Sequence, residues 1–255
     1  KIKGHPLAAH VHLDSGMCRL GLDLAETETL LNDADSLLDG IDVNLVMSHL
    51  ASADERGSDQ SRRQLTLFRD AFAKLGRGKG SLCNSAGIFL GPDYHFDVAR
   101  PGVALYGGNP TPHTDNPMKN PVTLSARILQ VRHVGIGETV GYGATFAVER
   151  PSRIATVPIG YADGFHRAGS GKGMAHIDGH PAPIAGRVSM DLITLDVTDV
   201  PEHLARPGAY AEFLGKHRTP DDLARDWQTI PYEVLTGLGR RYRRTYKGVS
   251  GGTGA

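Results

Sequence analysis

Between Leu7 and Tyr106, short apolar runs alternate with amphipathic stretches, and a polar or glycine-bearing cluster follows each apolar run. Leu7 to Leu13 reads as a strand. Glu26 to Leu38 reads as a helix with Leu30, Leu31, Ala34, Leu37 and Leu38 on one face, closed by Gly40. Val43 to Met47 is a second strand. Arg62 to Leu75 is a second helix, with Leu65, Phe68, Phe72 and Leu75 at helical spacing and Gly76 as its stop. Ser81 to Asn84 and Gly102 to Tyr106 read as two more strands. Such alternation with short connections predicts parallel βα units. The clusters Asp14-Ser15-Gly16, Ser48-His49, Asn84-Ser85 and Gly107-Gly108 then fall at strand carboxyl ends, the rim where a βα barrel places its chemistry. Four such units make half a barrel and leave two open sheet edges. The chain begins at Lys1, almost directly before a strand, so further residues are expected upstream.

From Gly107 to Pro121 the composition turns to Gly, Asn, Pro and Thr, a linker signal. Beyond it, Val122 to Val134, Ile154 to Ile159, Met174 to Ile177, Ala182 to Ile184, Leu192 to Val197 and Ala209 to Leu214 read as short strands between turns. One helix interrupts them, with Thr219 as cap, Pro220 in the first turn, and Asp221 and Asp222 at its positive end. The reading is α/β plus all-β: residues 1–116 a partial βα barrel, residues 117–248 a β-domain, residues 249–255 a flexible glycine-rich tail. Basic and acidic residues balance at 28 each, so no net field favours nucleic acid or an anionic membrane. Cys18 and Cys83 lack any CxxC context, which argues against a disulfide framework or a zinc site and fits a reducing, cytoplasmic compartment. No apolar run reaches the ~18 residues needed to cross a bilayer.

Three glycine-bounded turns stand out in the second half: GYGATF around Tyr142, IGYADG around Tyr161 and GRVSMD around Met190. The first half holds DSGMCRLG with Arg19, SHLASADE with His49, NSAG with Ser85, and Arg100-Pro101-Gly102. Each has an ordinary reading of its own. Arg100 could be a surface arginine beside a turn proline, Ser85 a helix N-cap, His49 a satisfied core histidine and Met190 plain packing. Their order and combination resemble alanine racemase, the pyridoxal-phosphate enzyme that interconverts L- and D-alanine. The likeness runs from about Ala8 to about Tyr246.

The resemblance implies a fold with the second half of a TIM-type barrel followed by a β-domain, in a homodimer whose active sites are shared between subunits. It implies pyridoxal 5'-phosphate as cofactor, with Ser85, the backbone N–H groups of Gly102 and Val103, and Tyr232 (in PYEVLT) on the phosphate. Arg100 would bond the pyridine nitrogen and His49 would lie against the ring. A guanidinium, with pKa above ~12, hands no proton to the ring, which keeps the ring a weak electron sink and limits side reactions. Tyr142 becomes the base on one face of the substrate. A free phenol ionises near ~10, so such a base needs cationic or hydrogen-bonding neighbours, which His49 and Arg100 could supply. Arg19, Tyr161 and Met190 line the substrate site, Arg19 facing the carboxylate, while Asp191 and Arg187 hold the loop. The family's product supplies cell-wall peptidoglycan.

Two departures from the family pattern mark this sequence. His12 stands where many members carry a carbamylated lysine that steadies the residue equivalent to Arg19. The Schiff-base lysine, which also serves as the opposing base, has no match: none of Lys1, Lys3, Lys74, Lys79, Lys119, Lys172, Lys216 and Lys247 lies in a KxxxYGH-like setting at a strand end. Lys3-Gly4-His5 echoes that motif before the wrong strand. The chain alone is therefore expected to be inactive. Two other readings are a racemase of broader amino-acid specificity and a catalytically silent cofactor-binding module.

Overall fold

The computed structural model describes residues 5–248. The expected tail at 249–255, together with Lys1 and the Lys3-Gly4 echo, lies outside them. Within the described residues the chain forms two compact units. One runs to Leu105 and includes Asn109–Met118; the other takes Tyr106–Gly108 and continues from Lys119.

In the first unit, β1 (Leu7–His12), β2 (Ile41–Met47) and β3 (Lys79–Ser81) form a parallel sheet in the order β1-β2-β3. The connections are helical: α1 (Leu24–Asn32), α2 (Ala34–Leu37) and α3 (Asp59–Leu75), with a short α4 (Ser85–Ile88) after β3. Helix α3 ends at Leu75 as expected but starts at Asp59, three residues before the expected Arg62. Ser58 caps it by accepting the Ser61 N–H, and Gly76 ends it in the left-handed region at φ 61°. Its apolar face enters the core, where Phe68 is fully buried and packs edge-on against Phe96 at 4.9 Å. A fully buried phenylalanine contributes roughly 1.5–3 kcal/mol.

Three expectations fail here. The helix over Glu26–Leu38 is two pieces. It starts earlier, where Asp23 and Glu26 make a reciprocal capping box, and it breaks at Asp33, whose φ of −138° leaves the helical region. Asn32 and Asp33 are poor interior helix residues because their side chains compete for backbone groups. The strand over Gly102–Tyr106 is a 3-10 turn at Val103–Tyr106. Its amides face a side chain rather than a strand, since Gly102 N and Ala104 N donate to Ser85 Oγ at 2.7 and 3.3 Å. The sheet accordingly has three strands, not four, and no closed barrel forms among the described residues. The Ser81–Asn84 strand also lies earlier, at Lys79–Ser81, because Asn84 is used as the N-cap of α4.

No helix or strand lies between Tyr106 and Leu124. The second unit is mostly antiparallel. The strands β4 (Leu124–Arg127), β5 (Gln130–Val134), β6 (Thr139–Val140), β7 (Phe146–Ala147), β8 (Ser152–Val157), β9 (Met174–Ile177), β10 (His180–Pro183), β11 (Ile193–Asp196) and β12 (Tyr210–Leu214) make sheets ordered β10-β9-β12-β4, β11-β8-β5 and β6-β7. The single run Val122–Val134 is divided between two sheets, β4 in one and β5 in another. Alternation buries one face of each of the two larger sheets around Val157, Ile177, Leu195, Phe213 and Trp227, while β6 and β7 pack in a small separate cluster with Val140, Val148 and Ile154. Helix α5 (Pro220–Trp227) has the expected cap, a reciprocal box between Thr219 and Asp222. A further helix, α6 (Pro231–Gly237), carries Tyr232. No described helix is long and apolar enough to cross a membrane.

Candidate active site

The first unit gathers its site residues at the carboxyl ends of β1, β2 and β3. His49 follows β2 directly, and Arg100 reaches in beside it. One Arg100 Nη2 donates to Ser48 O at 2.6 Å and lies 3.4 Å from His49 Nδ1; Nη1 donates to Ser81 Oγ at 2.5 Å. Both terminal nitrogens are thus held by the protein, while Nε has no acceptor among the described residues. Burial lowers the Arg100 pKa from its usual value, yet a guanidinium remains cationic at any physiological pH. Burial and then the charges of Arg100, Arg19 and His12 lower the His49 pKa, so its imidazole is neutral at pH 7. With a cationic donor facing Nδ1, the ring proton sits on Nε2.

Ser85 is 1 % exposed, at the start of α4. Its oxygen accepts the N–H groups of Gly102 and Ala104, so its own hydrogen is left to donate, and no acceptor for it lies among the described residues. Val103 sits buried between those two amides. Such a hydroxyl, framed by inward backbone N–H groups, suits a phosphate oxygen.

Arg19 is exposed, on the loop after β1. Asp14 sets that loop, its Oδ1 accepting the N–H groups of Gly16, Met17 and Cys18 at 2.9, 2.8 and 3.1 Å. Burial alone would raise the Asp14 pKa; the backbone bonds outweigh it and lower it. His12, at the end of β1, has its pKa lowered by burial first and then by Arg100, with Asp14 opposing. His12 is therefore a neutral imidazole at pH 7, and Asp14 supplies an ordered anion in this loop.

In the second unit, the three glycine-bounded turns meet. Tyr142, Tyr161 and Met190 line one cleft of about 590 Å³, together with Arg167, Arg187 and Asp191. Tyr142 is 72 % exposed, on a 3-10 turn that needs Gly141 and Gly143 at φ 78° and 72°. A side chain on Gly143 would also meet the Arg187 guanidinium, which covers it. The Tyr161 and Met190 turns join backbone to backbone: Tyr161 N donates to Ser189 O at 3.1 Å and Ala162 N to Met190 O at 3.0 Å. Arg241 braces the pair from outside. It reaches buried Asp163 through Nε at 3.2 Å and Asp191 through Nη1 at 2.7 Å. Tyr232, 45 % exposed on α6, is not among the residues lining that cleft.

Gln64, Asp14, Arg167 and Arg241 escape sequence reasoning. Asp14 falls in a cluster already flagged, but nothing in the spacing reveals that it binds three amides. Arg241 pairs with residues far away in sequence, and Gln64 sits on the apolar side of a helix.

The two units correspond to two family models. Residues 1–110 match the alanine racemase N-terminal domain, and residues 121–246 match the alanine racemase C-terminal domain. The alanine racemase of Rhodospirillum rubrum is 50 % identical over 251 residues, covering 98 % of this chain and 67 % of that protein.

The chain belongs to the alanine racemase family.

The alanine racemase of Brucella canis is 46 % identical over 262 residues, covering 98 % of this chain and 66 % of its own. The chain thus spans about two thirds of the length of these relatives. Among solved structures, alanine racemase from Bartonella henselae with covalently bound pyridoxal phosphate matches at TM-score 0.86 and 40 % identity, over 94 % of this chain and 66 % of that one. The biosynthetic alanine racemase of Pseudomonas aeruginosa matches at TM-score 0.86 and 38 % identity, over 96 % and 68 %. The fold of this racemase-family chain, a parallel βα unit followed by an antiparallel β unit, is the one these structures share.

Proposed function

We propose that the whole protein interconverts L- and D-alanine with pyridoxal 5'-phosphate, in the cytoplasm, and that the product supplies peptidoglycan synthesis. The observation that carries this reading is the cleft on which Tyr142, Tyr161 and Met190 converge from three separate turns. The first unit is read as the second half of a barrel and as the cofactor-holding half of the site.

The donor set of the first unit fits pyridoxal phosphate: Ser85 Oγ and the amides at Gly102 and Val103 would hold its phosphate. Tyr232, on α6 of the second unit, is proposed as a further phosphate ligand. Arg100 would sit at the pyridine nitrogen with its free Nε–H, and His49 would lie against the ring. When bound, the cofactor supplies a sink for the electron pair left at the substrate α-carbon. Arg100 limits that sink, because a guanidinium does not protonate the ring nitrogen. Arg19 would pair with the substrate carboxylate through two parallel N–H bonds. Tyr161 and Met190 would leave room for a side chain no larger than a methyl group.

Racemisation needs one proton removed from one face of the α-carbon and one delivered to the other. Tyr142 is the proposed base and acid on one face, exchanging the α-proton through its phenol oxygen. The opposing group is proposed to be a lysine beyond these 255 residues, and this chain by itself is expected not to turn alanine over. We further propose a homodimer in which His49, Arg100 and Ser85 of one subunit act with Tyr142 and Met190 of its partner. Mixing a Tyr142→Phe protein with a Ser85→Ala protein tests this. Activity regained on mixing supports shared sites, and none regained rejects them. Failure of the unaltered whole protein to form D-alanine from L-alanine with pyridoxal phosphate would reject the activity itself.

A further inference from the structure

Helix α3 carries two glutamines one turn apart, Gln60 and Gln64, whose amides are both used outside the helix. Gln60 Nε2 donates to Gly16 O at 3.0 Å, and its Oε1 accepts the Ser52 hydroxyl at 3.1 Å. Gln64 lies deeper and is 1 % exposed. Its Oε1 accepts the Ala51 N–H at 2.9 Å, and its Nε2 donates to His49 O at 2.8 Å and Ser15 Oγ at 3.3 Å. Ser15 Oγ in turn lies 2.7 Å from Ser48 Oγ.

These bonds replace a ladder that has run out. The last backbone bond between β1 and β2 is Leu13 N to Met47 O. Past it, no backbone bond among the described residues joins the loop carrying Arg19 to the segment carrying His49. Side chains join them instead, and Gln64 touches both. An aliphatic side chain would fill this site beside Leu65 and Phe68 without burying an amide. A buried amide is tolerated only where its hydrogens and oxygen all find partners, as they do here.

We propose that Gln64 is a positioning residue: its amide fixes the distance between the Arg19 loop and His49, and through it the fit of substrate to cofactor. This rests on the roles given above to Arg19 and His49. The two strand ends form a rim whose spacing β1 and β2 do not themselves determine beyond Leu13 and Met47. Gln64 reaches that rim from a rigid helix, which is how a precise site is held without adding a group to it.

Two variants of the whole enzyme, loaded with pyridoxal phosphate, test the proposal. Gln64→Leu keeps the volume and removes all three bonds. Gln64→Glu keeps an acceptor for Ala51 N–H and loses the donors to His49 O and Ser15. Amide hydrogen exchange is the first readout. In Gln64→Leu, exchange at Ala51 and over residues 15–18 should rise about tenfold, with the α3 amides unchanged. In Gln64→Glu, Ala51 should stay protected while residues 15–18 exchange faster. The second readout is steady-state kinetics: KM for L-alanine should rise about tenfold in both variants, more than kcat falls. Unchanged exchange and KM in both variants would overturn the proposal. So would exchange that quickens evenly through α3 and β2, since Gln64 would then be a packing residue only. If Gln64→Leu does not fold, Gln64→Glu decides alone by the same criteria. An unaltered enzyme that does not racemise alanine would reject the functional reading instead, and the exchange pattern would still judge the positioning.

Discussion

Replacing Gly160 by alanine tests how the cleft proposed for the substrate is built. Gly160 lies between β8 and the Tyr161 turn with φ −158°, an extended conformation open to any residue. Backbone strain therefore adds nothing, and the whole effect is steric. A methyl group at Gly160 would come closer than 3.0 Å to the carbonyl oxygens of both Ser189 and Met190. These are the acceptors for Tyr161 N and Ala162 N. The Met190 loop must back away, weakening two hydrogen bonds that net about 0.5–1.5 kcal/mol each. Overpacking of this kind costs about 1–3 kcal/mol besides. The sum, about 2–6 kcal/mol, should lower Tm by at least about 4 °C at the usual 2–4 °C per kcal/mol. Because Met190 and Tyr161 line the cleft, kcat/KM for alanine should fall as much as about 100-fold for an ångström of displacement. Thermal unfolding and steady-state kinetics of Gly160→Ala check both. A variant with unaltered Tm and kcat/KM would refute the backbone-to-backbone packing of the two turns.

Other outcomes follow from the same geometry. Ser85→Ala leaves the Gly102 and Ala104 amides without their acceptor and removes a hydroxyl donor that has no acceptor among the described residues, so pyridoxal phosphate affinity should drop about 10- to 100-fold in an absorbance titration; unchanged affinity would exclude Ser85 from the phosphate. Arg241→Gln unties Asp163 from Asp191, so KM for alanine should rise. Because Arg241 is solvent-exposed, salt should screen its pairs, and the wild-type KM should approach the variant's as salt is raised; a KM indifferent to both would show the brace to be idle. His12, His49 and His176 all have pKa values lowered chiefly by burial, with neighbouring cations adding to it. Below about pH 6.5 the unfolded chain takes up protons that the folded chain refuses, so this contribution to stability is intact above that pH and is lost as pH falls through it. Urea unfolding at pH 8, 7, 6 and 5 should show the loss, and His176→Gln should reduce it; a stability curve rising toward acid would contradict the sign.

Helix α3 and helix α5 were legible in the sequence because their signals are local: the spacing of Leu65, Phe68, Phe72 and Leu75 with the Gly76 stop for one, Thr219 and Asp222 for the other, while the Ser58 cap that starts α3 three residues early was missed. The glycine-bounded turns were legible for the same reason, since Gly141 and Gly143 take backbone angles that a side chain disfavours. Gly102–Tyr106 misled because GVALY has the composition of a strand, while its amides are drawn to a hydroxyl seventeen residues upstream. Helix α6 is seven residues long, too short for helical periodicity to register. Gln64, Arg241 and Asp14 act through partners that only the fold brings near. The family motifs pointed to Tyr142, Tyr161 and Met190 together, but not to Arg167 beside them or to the ion pairs that brace them.

Tyr142 is proposed to move the α-proton on one face of alanine. The most direct measurement is deuterium wash-in at the α-carbon, followed by proton NMR in heavy water, with the whole enzyme started separately from L- and from D-alanine. In Tyr142→Phe, exchange from one enantiomer should fall about 100-fold or more while the other still exchanges on its own face. Equal exchange from both enantiomers at the wild-type rate, or equal loss from both, would contradict it.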